Sequence, residues 1–159
     1  MDRLNSTNLV TTKAGLTGIS GGATTFSTGA AAQSYSIGGK AYSKAQVSGG
    51  TTPTTDAVSG SAITLIANQG LVALWCLDAS GNVKVAAGGV QSLDNAGNFL
   101  IPPAFPALPD TLVPFAYHVV KGGSTTSGTW TFGSSNWNST GLSHSVVDIM
   151  TLPDRPQTA

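Results

Sequence analysis

Two histidines, the lone Cys76 and the stretch Gly18-Ile19-Ser20-Gly21-Gly22 are the places in this chain where chemistry is conceivable. His118 and His144 fall in segments that read as strands. They could meet across a sheet, with Asp148 on the same strand face as His144. A metal centre would want a third ligand, and no Cys or His cluster supplies one, so satisfied or exposed strand histidines are expected. Cys76 lies inside an apolar run, where a thiol is an inert hydrophobe rather than a nucleophile. Gly18-Ile19-Ser20-Gly21-Gly22 has the spacing of a nucleophile elbow. That motif needs a buried strand before it and a helix after it, whereas Gly- and Thr-rich sequence flanks both sides. Gly38-Gly39-Lys40-Ala41 lacks the upstream glycine and the hydroxyl residue of a phosphate loop and reads as a turn. All seven acidic residues are Asp, and no pair of them has a spacing that suggests glycosidase chemistry. The expectation is a protein that is not an enzyme, with no cofactor and no metal.

What would position any of these groups is a stretch from Ala62 to Val90. Ile63, Leu65 and Ile66 open it, and Leu71-Val72-Ala73-Leu74-Trp75-Cys76-Leu77 is its densest part. Asp78-Ala79-Ser80-Gly81-Asn82 supplies turn chemistry before Val83-Lys84-Val85-Ala86 resumes the alternation. This is the pattern of a β-hairpin whose first strand is apolar on both faces, and so lies inside a sandwich or an interface. The turn has an echo. Leu77-Asp78-Ala79-Ser80-Gly81-Asn82-Val83 and Leu93-Asp94-Asn95-Ala96-Gly97-Asn98-Phe99 share one pattern, in which Asp begins a tight turn and Gly takes a positive φ. A calcium loop would carry more carboxylates than one apiece.

Around this centre, Thr25 to Thr28, Gln33 to Ile37, Ala41 to Ser43, Phe115 to Val120, Thr129 to Phe132 and Leu142 to Met150 read as further strands. In the last, Val147 and Ile149 share one face and Leu142, Val146 and Met150 the other. Phe99 to Asp110 carries Pro102, Pro103, Pro106 and Pro109 and cannot be a central strand, because proline donates no ladder hydrogen bond. The tail from Leu152 to Gln157 cannot be a helix. About eight strands at short spacing predict an all-β chain with a β-sandwich or jelly-roll body. The expected division is an extended Gly/Ser/Thr-rich N-terminal arm or set of edge strands over 1–55, the body over 56–152, and an extended C-terminal tail over 153–159.

Composition narrows the partners. Charged residues make up 9 % of the chain and the net charge is zero, so there is no electrostatic footprint for nucleic acid. Apolar runs are too short for a membrane span. No secretory leader is visible at the N-terminus, so synthesis in the cytoplasm is expected and the tripeptides Asn5-Ser6-Thr7 and Asn138-Ser139-Thr140 are chance glycosylation patterns. A surface so poor in charge is a solubility liability for a free monomer and points to a chain that works assembled. Candidate partner contacts are Phe26, Tyr35 and Tyr42 in the N-terminal segment, Phe105 and Trp137 in loops, and Arg155 in the tail. Trp75 and Trp130 are expected in the core.

A set of short motifs carries a resemblance. Gly39-Lys40-Ala41-Tyr42, Thr52-Pro53-Thr54-Thr55-Asp56-Ala57, Ala79-Ser80-Gly81-Asn82-Val83 and Pro114-Phe115-Ala116-Tyr117 occur in that order. They are followed by Ser127-Gly128-Thr129-Trp130-Thr131-Phe132-Gly133 and Leu152-Pro153-Asp154-Arg155-Pro156. Over about residues 38 to 157 the chain resembles virion structural proteins of tailed bacteriophages, most of all head decoration (cement) proteins. The resemblance implies a capsid-surface protein that binds the major capsid protein, bridges its neighbouring subunits and forms a homo-oligomer, a dimer or trimer. The competing expectation is a receptor- or glycan-binding module of a tail fibre or spike, with an exposed Trp137 stacking on sugar.

Overall fold

A computed structural model describes residues 8–22 and 24–158; Asn5-Ser6-Thr7 lies outside them. Every regular element among them is a strand. The N-terminal third holds β1 (Leu9–Val10), β2 (Thr25–Phe26), β3 (Gln33–Ile37), β4 (Lys40–Lys44) and β5 (Gly50–Thr51). The centre holds β6 (Thr64–Leu65), β7 (Gln69–Asp78), β8 (Val83–Ala87) and β9 (Gln91–Ser92), and β10 (Leu112–Gly122), β11 (Trp130–Thr131) and β12 (Leu142–Asp148) complete the set. The all-β expectation holds, and the layering is sandwich-like.

The main sheet runs β12-β10-β7-β8, antiparallel throughout, with β9 also pairing β7. Its interior strand β7 is apolar on both sides because both sides are covered. Leu71, Ala73, Trp75 and Leu77 enter one core, while Val72, Leu74 and Cys76 enter a second. Full burial of one Leu or Val contributes about 1.5–3 kcal/mol, so β7 holds the two layers together. The second core is completed by Tyr117, Val119 and Ile149, with Phe99, Phe105 and Leu108 of the proline-rich segment packed on it.

β10 is longer than the sequence suggested and contains a proline. Pro114 lies opposite Cys76, and the register then slips so that Ala116 faces Trp75. The extra residue, Phe115, forms a bulge, the one sheet-interior setting in which proline's missing donor is tolerated. One consequence is that Phe115 and Ala116 both join the first core.

Residues 9–22 and 24–51 do not reach away from the body. Val10, Ala14, Leu16, Ile19, Phe26, Tyr35 and Ile37 are buried in the first core beside Trp75. β1, β3 and β4 make a small sheet over the main one. The β3–β4 hairpin turns at Gly38 and Gly39, with φ of 59° and 77°, the double positive φ that a tight hairpin needs. The tail is likewise laid on the body. Pro156 is buried, the Gln157 N–H donates to the Tyr117 hydroxyl at 3.2 Å, and the Lys121 ammonium donates to the Thr158 carbonyl at 2.9 Å.

The two echoed turns are the same structure twice. Asp78 Oδ1 accepts from the N–H groups of Ser80 and Asn82, and Oδ2 accepts from the Asn82 amide. Asp94 does the same with Ala96 and Asn98. Gly81 and Gly97 close the turns at φ of 76° and 82°. Both carboxyls sit below the usual carboxylate range. Desolvation opposes the shift at Asp78 and is outweighed by its hydrogen bonds to Asn82 and Ser80; at Asp94 the bonds from Asn98 lead. Asp78→Ala is therefore expected to lower stability by about 1–2 kcal/mol, read as a drop in urea midpoint at unchanged slope, because the turn sets the β7–β8 register.

Candidate functional site

The two histidines meet at the first core beneath β10 and β12. Val120 of β10 pairs with His144 of β12, and His118 lies one step along on the same face. The sheet thereby brings His118 Nε2 to 3.1 Å from His144 Nδ1, the cross-strand approach that the sequence suggested. His118 is fully buried, and its imidazole stacks on Trp137 with ring centroids 4.7 Å apart. Trp75 stacks at 6.5 Å, and Phe132 meets it edge-on at 5.7 Å. Trp130 extends the cluster against Phe132 and Trp137.

This box is apolar and poor in partners. His118 Nδ1, Trp75 Nε1 and Trp137 Nε1 have no hydrogen-bond partner among the described residues. Burial, with the neighbouring His144 second, holds the His118 imidazole well below the usual histidine range; burial alone lowers the half-buried His144. Both rings are thus neutral near pH 7, and one donates to the other. Among the described residues no group of three His, Cys or Asp side chains could hold a metal ion. Asp148, on the same strand face, spends Oδ1 on the Leu16 N–H at 3.2 Å. The arrangement can pack and hydrogen-bond; His118 is enclosed in it, while half-buried His144 reaches the surface.

The remaining reactive groups lie elsewhere. Cys76 is fully buried in the second core, its thiol pushed far up by desolvation. Ser20 occupies an exposed turn between Gly18 and Gly21, with no helix after it among the described residues. Asp56 is used structurally: its carboxylate accepts from Ser59 N–H and Oγ and from the Ala87 N–H at 3.0 Å, bonds that outweigh desolvation and lower its proton affinity.

The candidate partner contacts divide. Phe26 and Tyr35 are 3 % exposed and Trp137 2 %, so the structure withdraws these three from the surface. Phe26 packs on Trp75 with centroids 5.2 Å apart, and the Tyr35 hydroxyl donates to the Asp78 carbonyl at 2.9 Å. Trp137 plugs the core from its loop. Tyr42 is half-buried and stacked on Tyr35, Phe105 is half-buried against Tyr117, and Arg155 is exposed. Sequence reading missed the exposed apolar residues Val58, Ile66, Val90, Leu100, Ile101, Met150 and Leu152. Their signal was present only as aliphatics next to turn residues, which strand patterning assigns to the core. A comparison with known protein families, with curated proteins and with solved structures finds no match to this chain.

Proposed function

We propose that this chain is a non-enzymatic structural protein of a phage virion, a decoration protein that binds the outer surface of a capsid and bridges its major capsid subunits. The observation that carries the reading is the surface. Large apolar side chains stand out of a body with seven basic and seven acidic residues, Leu100 and Ile101 at 64 % exposure each. Those two sit on a tip braced by the Asp94 turn on one side and by Pro102 and Pro103 on the other, so docking them costs little ordering entropy. Repetition over a symmetric shell sums weak apolar contacts into firm attachment. The resemblance of the sequence to head decoration proteins supplies the shell as partner. The glycan-binding alternative loses its main support with Trp137, whose ring is not available to stack on sugar.

Purified chain added to capsids lacking it is expected to bind saturably and to raise the capsid melting temperature. Leu100→Ser with Ile101→Ser is expected to weaken that binding at least tenfold while leaving the fold intact. Binding confined to host cells or glycans, with no effect on the shell, overturns the reading.

A further inference from the structure

The two edges of the main sheet are finished differently. Beside β8, Asp56 bridges to Val85, and the Ala57 N–H donates to the Val85 carbonyl at 2.7 Å. Among the described residues the β12 edge has no such cover. The Ile149 N–H donates to the Phe115 carbonyl, so by the alternation of an antiparallel ladder residues 143, 145 and 147 also face β10. Residues 142, 144, 146, 148 and 150 then turn their backbone groups outward.

The ends of that outward row are already occupied. The Leu142 N–H donates to the Ser139 carbonyl at 3.0 Å, and the Met150 carbonyl accepts from Val10 at 3.2 Å. His144, Val146 and Asp148 remain, and no backbone partner meets their outward N–H and C=O groups among the described residues. The open stretch is therefore centred on Val146. Sheet edges in monomers are usually guarded by Lys, Pro, a bulge or an inward-pointing charge; of these Leu142–Asp148 carries only Asp148, at its end.

We propose that a second copy of the chain closes this edge, β12 against β12, antiparallel about a two-fold axis at Val146. In that register His144 lies opposite Asp148 of the partner subunit, and Asp148 opposite the partner subunit's His144. The two ionisable side chains of the strand stand equally far from the axis, so they meet as complementary pairs. With His118 Nε2–H as the donor to His144 Nδ1, the neutral His144 ring carries its own proton on Nε2 and can donate it. Asp148 uses Oδ1 toward Leu16, which leaves Oδ2 to accept. Opposed residues of a hydrogen-bonded pair have Cα atoms about 5.5 Å apart, within reach of an imidazole–carboxylate bond. A register centred one residue earlier sets His144 against Val146 and Asp148 against Leu142, and forfeits both pairs. The contact is isologous and closes as a dimer rather than a filament. It deepens the assembly reading above by naming the chain's first partner, yet it is tested with no capsid present, so the two can fail separately.

Light scattering on the purified full chain is expected to give a dimer, twice 16.0 kDa. Val146→Pro removes an outward N–H, keeps every bond to β10, and is expected to give a monomer with unchanged near-ultraviolet dichroism. Val146→Cys is expected to oxidise to an intermolecular disulfide, since the Cα spacing at the axis lies in the disulfide range and Cys76 is buried. The Val146→Cys result decides the matter if Val146→Pro fails to fold. A wild-type monomer at high concentration overturns the proposal, as does a folded Val146→Pro that still dimerises or a Val146→Cys chain that does not cross-link. So does a monomer whose His144, Val146 and Asp148 amides resist hydrogen exchange, because the chain itself would then cover its edge.

Discussion

Trp137→Ala is expected to destabilise the chain by about 3–5 kcal/mol, the range for removing a large aromatic from a packed core. The residue sits in an irregular loop, yet its ring touches His118, Trp130, Phe132 and His144, with centroid separations from 4.7 to 5.1 Å. Because the loop is fixed by Asn138 N–H donating to the Gly21 carbonyl and by Trp130 Nε1 donating to the Asn136 carbonyl, the cavity cannot close by simple collapse. Trp137→Phe is expected to cost less than half as much. It keeps most of the aromatic contact and removes an indole N–H that has no partner among the described residues, so part of the lost packing is offset by an orphan donor no longer buried. Urea unfolding of the three proteins measures both differences. A Trp137→Ala chain as stable as wild type would mean that the ring does not belong to the core.

The same residue shows where sequence legibility ended. Strands that carry their own alternation were readable: Gln33–Ile37 was bounded correctly, and β7 and the faces of β12 were legible because each apolar position has a fixed parity relative to its neighbours. Loop residues have no such parity. Whether Trp137 points in or out depends on the path of residues 133–141 over the sheet, which is set by long-range contacts to Gly21 and Trp130. Phe26 and Tyr35 were misplaced for a related reason. Their segment is rich in Gly, Ser and Thr and buries little by itself, but against Trp75 and Leu77 it completes a core. Pro114 illustrates the converse: a local rule that excludes proline from central strands was satisfied by a bulge that only the pairing of β10 with β7 could reveal. The His118–His144 approach was legible as a possibility because both residues fall in strands, while the aromatic box around it was not.

Acidification is expected to unfold the chain in two separable stages, and the first belongs to His118. In the unfolded chain this imidazole takes a proton near its ordinary value, about 6.5. In the native state burial among Trp75, Phe132 and Trp137, with His144 as its neighbour, holds it well below that. The unfolded state therefore binds more protons once the pH falls below about 6.5, and folding stability declines until the native group itself protonates. Above about 6.5 both states are neutral and this contribution is constant. One such group gives a slope of about 1.4 kcal/mol per pH unit inside the window; half-buried His144, also lowered, adds to it. The carboxyls of Asp56, Asp78 and Asp94 are lowered in the folded chain, so their stabilisation is present above about 3.9 and lost only below it. The two stages are thus separated on the pH axis. His118→Phe fills the box with a ring that does not titrate, and it is expected to remove about one proton's worth of slope just below pH 6.5. The Asp-dependent loss at lower pH should remain. Unfolding free energies from urea titrations across that range decide the point: an unchanged slope in His118→Phe would mean that the histidine is solvated and that the core does not close over it.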